Sequence, residues 1–116
     1  MLGEEARPFS ERRLLGRLNP ILEYIQRNPE MDLSCTALAK RFGCSMPTLN
    51  RLFRAVLGES PQSYVLRYRM SLARDFLRRE EYSIKEISAR LGFRNPFYFT
   101  RVFRKYFGTV PSRLRR

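Results

Sequence analysis

One pattern occurs twice in this chain, and a chain that repeats itself builds two similar pieces. Leu38-Ala39, Gly43, Leu49, Arg51, Phe53-Arg54, Gly58 and Pro61 return as Ile87-Ser88, Gly92, Phe99, Arg101, Phe103-Arg104, Gly108 and Pro111. The offset is 49 residues from Gly43 to Gly92 and 50 from Leu49 to Phe99, so the second copy carries one residue more in its turn. In each copy an apolar helix with a small residue leads to a glycine. A second helix follows, apolar on one face and arginine-rich on the other. This grammar predicts a helix-turn-helix, whose second helix lies in the DNA major groove.

Charge narrows the choice of partner. Against 11 acidic residues stand 23 Lys and Arg, a formal net charge of +12 with a sequence pI near 10.8. An excess of that size points to a polyanion, either nucleic acid or an anionic membrane surface. At 116 residues, 43% of them apolar, the chain suits one compact domain or two small lobes sharing a connection. No apolar run reaches the roughly 18 residues of a membrane span, and the first residues lack a signal peptide's pattern. No membrane contact is expected. Two cysteines, Cys35 and Cys44, without any histidine cannot supply four zinc ligands. No phosphate loop or nucleophile motif is present, so neither an enzyme nor a cofactor is expected.

The expected fold class is all-α. Residues 1–16 read as a tail or linker remnant, broken by Gly3, Pro8 and Gly16. The first lobe then covers 17–60, a linker helix 61–80 and the second lobe 81–116. Asn19-Pro20 reads as a helix cap followed by a first-turn proline. Ser34 and Ser45 read as caps of the next two helices, with Gly43 between them and Pro47 tolerated in the first turn. Ser60-Pro61 opens a helix running to about Arg79, with Val65, Tyr68, Leu72, Ala73, Phe76 and Leu77 at helical spacing. Its twenty residues would span roughly 30 Å, against about 34 Å for one turn of B-DNA. A spacer of that length would suit two recognition helices in successive major grooves. Ser83 and Glu86 form a capping box, and Asn95-Pro96 repeats the cap-and-proline device. Phe99, Val102, Phe103 and Tyr106 are expected inside.

Arg51 and Arg101 are the leading base-reading candidates. Each lies two residues before a core phenylalanine and opposite the apolar stripe, where a guanidinium can pair with guanine O6 and N7. Asn50 could pair with adenine. Pro47, Phe97 and Tyr98 occupy first turns, where a thymine methyl is within reach; partial core burial is the alternative for the two aromatics. Lys40, Arg54, Arg90, Arg94, Arg104 and Lys105 are expected to touch phosphate, which positions without reading sequence. The competing role for each is a solvated surface charge.

The second copy, Ile84 to Phe93, then Tyr98-Phe99-Thr100-Arg101-Val102-Phe103-Arg104-Lys105, Gly108 and Pro111-Ser112, resembles the DNA-binding domain of AraC/XylS-family transcription regulators. The first copy matches in Leu38-Ala39, Gly43, Leu49, Arg51, Phe53, Gly58, Pro61, Tyr64, Arg69, Ala73 and Leu77, so the likeness covers about residues 19–116. The resemblance implies seven helices in two helix-turn-helix lobes, and double-stranded promoter DNA bound through the third and sixth. Base-facing positions carry over to Pro47, Asn50 and Arg51, and to Phe97, Tyr98 and Arg101. Ser88 stands where alanine is usual, Asn95 where an acid is frequent and Phe97 where a small residue is frequent. RNA polymerase, a separate N-terminal effector or dimerisation domain, and a bacterial cytoplasmic, nucleoid-associated setting complete what the likeness implies. A non-specific basic nucleic-acid binder or architectural protein is the alternative.

Overall fold

The computed structural model describes residues 9–115. They form seven α-helices, with no strand among the described residues: α1 Phe9–Arg27, α2 Cys35–Arg41, α3 Met46–Leu57, α4 Pro61–Arg79, α5 Ile84–Arg90, α6 Pro96–Phe107 and α7 Pro111–Leu114. Two compact units divide the chain. The first takes the chain through Arg27 together with Leu33–Val65; the second takes Asn28–Asp32 together with Leu66–Arg116. α4 thus gives its first turn to one unit and the rest to the other.

In the first unit α1 and α2 both pack against α3. Leu18, Ile21 and Ile25 stand at i, i+3 and i+7, the spacing of one helical face. All three are buried, with Leu33, Leu38, Ala39, Leu49, Leu52, Phe53, Tyr64 and Val65. Here the sequence reading needs a correction. α1 starts at Phe9, so Asn19-Pro20 lies inside a helix rather than at its start, and Gly16 is helical too. Leu18 must be helical to join its stripe, and that burial outweighs the amide bond lost at Pro20. Gly16, whose carbonyl stands four residues before Pro20, is exposed and open to water. Of the stretch expected to be a tail, residues 1–8 lie outside the described residues.

The caps read at Ser34 and Ser45 form as expected. Ser34 Oγ accepts from the Ala37 amide at 3.2 Å and Ser45 Oγ from the Thr48 amide at 3.1 Å. Each such cap contributes about 1 kcal/mol. Between them Gly43 takes φ +66, a left-handed conformation that costs an L side chain.

The second unit buries Met70, Ala73, Leu77, Ile87, Leu91, Phe99 and Phe103, with Leu66, Leu72, Phe76, Phe93, Val102 and Phe107 packed around them. On α4 the fully buried positions therefore include Met70, which the apolar spacing passed over, while Tyr68, Leu72 and Phe76 are only half-buried. Ser83 and Glu86 make the reciprocal capping box: Ser83 N–H donates to Glu86 Oε1 at 2.8 Å, and the Glu86 amide donates to Ser83 Oγ at 3.0 Å. A further correction falls on α6. Tyr106, expected inside, is exposed; Phe107 packs instead, its ring 4.6 Å from that of Phe103. Phe99, Phe103 and Phe107 follow i, i+4, i+8, so Tyr106 is turned one position off the stripe.

Candidate nucleic-acid interface

Burial of one face of α3 and α6 decides what the other face shows. With Leu49, Leu52 and Phe53 inside, Pro47, Asn50, Arg51 and Arg54 form an exposed stripe at i, i+3, i+4 and i+7. With Phe99 and Phe103 inside, Phe97, Tyr98, Arg101, Arg104 and Lys105 are exposed on α6. Ser45 and Asn95 fix the start of each helix, and Gly58 and Gly108 end both in left-handed conformation. Arg51 and Arg101 consequently occupy the same register, two positions before a phenylalanine with no exposed surface.

At the start of α6, Phe97, Tyr98 and Arg101 line one open concavity of about 550 Å³ together with Arg94 and Asn95. The Arg94 guanidinium lies 5.3 Å over the Tyr98 ring, so this residue, expected at phosphate, sits among those expected to face bases. Asn95 is committed to capping: its Oδ1 accepts from the Tyr98 amide at 2.8 Å. Arg90 lies elsewhere in the second unit, its guanidinium 4.3 Å above the Tyr82 ring. Lys40, in the last turn of α2, is exposed.

Sequence reasoning missed two residues here. Arg41 is the counterpart of Arg90 at the 49-residue offset, and its guanidinium stands 4.1 Å over the Tyr24 ring. The repeat itself carried that signal. Met46, exposed at the start of α3, accepts a hydrogen bond on Sδ from Thr36 Oγ at 3.4 Å; no spacing rule marks it.

Arg69, by contrast, faces inward. Its Nε donates to the Pro29 carbonyl at 3.1 Å and its Nη2 to the Met31 carbonyl at 2.8 Å. Burial pushes this guanidinium below its ordinary pKa, while the charges of Asp32 and Glu30 push back. The same side chain lies 5.8 Å from the Phe93 ring, holding segment 28–32 against the turn of the second helix-turn-helix. No cluster of His, Cys, Asp or Glu among the described residues could hold a metal ion. Cys35 and Cys44 are free thiols, and no helix of the described residues is long and apolar enough to cross a membrane.

Two helix-turn-helix units, each ending on an arginine-bearing exposed helix, define a double helix-turn-helix protein. Residues 38–116 match a family model described as a helix-turn-helix domain, and the chain belongs to the AraC-type family of such domains. It is 33% identical over 96 residues to the HTH-type transcriptional regulator CdhR of Pseudomonas aeruginosa, covering 83% of this chain and 29% of CdhR. It is also 33% identical over 100 residues to the HTH-type transcriptional activator RhaS of Escherichia coli, covering 86% and 36%. The chain spans about a third of the length of these curated relatives. Among solved structures, the DNA-binding domain of AdpA, a global transcriptional factor crystallised with a target DNA, superposes with a TM-score of 0.78 at 27% identity, covering 85% of this chain and 89% of that one.

Proposed function

We propose that this chain is a sequence-specific DNA-binding domain of a bacterial transcription regulator, reading promoter DNA through α3 and α6. One observation carries the reading: Arg51 and Arg101 stand in equal register on the exposed faces of two helix-turn-helix second helices. A guanidinium so placed presents two parallel donors that match guanine O6 and N7. Asn50 adds an amide suited to adenine, beside Pro47; Phe97 and Tyr98 add apolar and aromatic surface in the second unit. Lys40, Arg54, Arg90, Arg94, Arg104 and Lys105 supply phosphate contacts, so affinity falls steeply as salt rises. AdpA's complex with target DNA supports DNA as the partner.

α4 is a 19-residue helix without an interior proline or glycine, about 28 Å long. We take it as the spacer that lets one chain occupy successive major grooves. RhaS is named an activator, and by that likeness RNA polymerase is the proposed protein partner of the whole regulator, which would work in the bacterial cytoplasm.

Selection of binding sites from random DNA, followed by footprinting, tests this. The expected outcome is an asymmetric motif, because the two reading faces differ, protected across two consecutive grooves. Enrichment of no motif, with binding that follows salt alone, would establish the non-specific architectural reading instead.

A further inference from the structure

Phe97 is the most exposed large apolar residue among the described ones, with 86% of its surface open. It serves no packing need, since α6 already buries Phe99 and Phe103 completely. Four residues on, one helical turn away, stands Arg101, and both line the concavity at the start of α6. The other lining residues are Arg94, Asn95 and Tyr98, so no acidic group there opposes a polyanion.

We infer that Phe97 makes the second recognition helix a reader of the 5-methyl group of a pyrimidine, thymine or 5-methylcytosine. This rests on the DNA-binding function proposed above and goes further, naming the chemical group that one side chain selects. A phenyl ring has neither donor nor acceptor, so it cannot pair with the polar edges of bases. Among natural base pairs the major groove offers one apolar group, the thymine C5 methyl, and 5-methylcytosine presents the same group in the same place. The Asn95 side-chain oxygen is taken by the helix cap, 2.8 Å from the Tyr98 amide, so it is not an acceptor for a base edge. The first unit has Pro47 at the equivalent position, a smaller surface on a fixed ring. Methyl reading is therefore assigned to the α6 half of the site.

The test uses the motif enriched by the full chain. Each thymine is replaced in turn by deoxyuridine, which removes the methyl group and leaves every hydrogen-bonding edge intact. At one position in the α6 half-site, wild-type protein should bind roughly four-fold more weakly, the worth of one buried methyl. Phe97→Ala should bind thymine and uracil there equally, with an unchanged melting temperature because the ring is exposed. Cytosine at that position should weaken wild-type binding, and 5-methylcytosine should restore part of it. Methyl sensitivity at no position, or equal sensitivity in Phe97→Ala, would overturn the inference. So would a Phe97→Ala loss that ignores the methyl and comes with reduced DNA bending, the signature of a wedge between base steps. Failure of wild type to enrich any motif would sink the DNA-reading function itself, a result separable from all of these.

Discussion

The two helix-turn-helix units share their backbone devices and differ in how they support and equip them. Both turns need a left-handed glycine, Gly43 at φ +66 and Gly92 at φ +80. A Cβ on Gly43 would meet nothing within 4 Å. A Cβ on Gly92 would lie 3.0 Å from the Pro29 and Glu30 carbonyl oxygens and 2.8 Å from Arg69 Nη2. The second turn is thus clamped by segment 28–32 and Arg69, while no such group closes on the first at Gly43. The cores differ as well. Around Phe53 the aromatic contact is a tilted pair with Tyr64 at 5.8 Å. In the second unit Phe93, Phe99, Phe103 and Phe107 form a continuous file of rings at 5.2, 5.7 and 4.6 Å. Repetition conserves turn chemistry because glycine and cap positions admit few alternatives. Cores and reading faces are free to diverge, since many side chains fill a volume or face a groove.

The largest effects should come from the core. Phe53→Ala and Phe103→Ala each remove a ring with no exposed surface and should cost about 3–5 kcal/mol. Thermal melts without DNA would measure this, and Phe103→Ala should be the more damaging, since its ring has two aromatic partners. Equal melting temperatures for wild type and both variants would mean the helix faces are misplaced.

Next come the turns, where the comparison is sharpest. Gly43→Ala should cost about 1–2 kcal/mol for its left-handed backbone. Gly92→Ala carries the same cost plus displaced carbonyl groups, about 2–4 kcal/mol together. Urea unfolding of the two variants would compare them directly; identical losses would remove the clamp from the second turn.

Arg51→Ala and Arg101→Ala should each weaken specific binding by about 1–3 kcal/mol and relax preference at different base positions. Repeating site selection with each variant would show which half of the motif blurs. If both retained the wild-type motif and affinity, the shared register would have nothing to do with base reading.

The smallest effect concerns the paired small residues. Ser88 is buried and its Oγ has no hydrogen-bond partner, while Ala39 fills the equivalent place in the first unit. Ser88→Ala should stabilise by about 1 kcal/mol, as an unsatisfied buried hydroxyl disappears. The reverse change, Ala39→Ser, should destabilise by a similar amount. Calorimetric melts of the two variants should move in opposite directions.

Local chemistry made much of this molecule legible in advance. Ser34, Ser45, Ser83 and Asn95 declare helix starts because each carries an oxygen that only a first-turn amide fits. Gly43, Gly58, Gly92 and Gly108 declare ends and turns because their left-handed backbone burdens other residues. The 49- and 50-residue offsets then placed Arg51 and Arg101 on matching outer faces. Tertiary packing decided the rest. A proline inside α1 is admitted because Leu18 buries on its N-terminal side; read locally, Pro20 marks a beginning. Met70 and Phe107 enter the core, and Tyr106 leaves it, because a neighbouring surface rather than helical period selects which edge of a stripe is covered. Arg69 matched the family pattern without a role that the sequence could assign, and the carbonyls of Pro29 and Met31, 40 and 38 residues away in sequence, draw it inward. Arg41 and Arg90 gained their tyrosine supports in the same way. Caps and turns are short-range bonds and can be read from neighbours in the chain. Which charge is buried, and which aromatic is left in water, depends on groups that only the folded chain brings together.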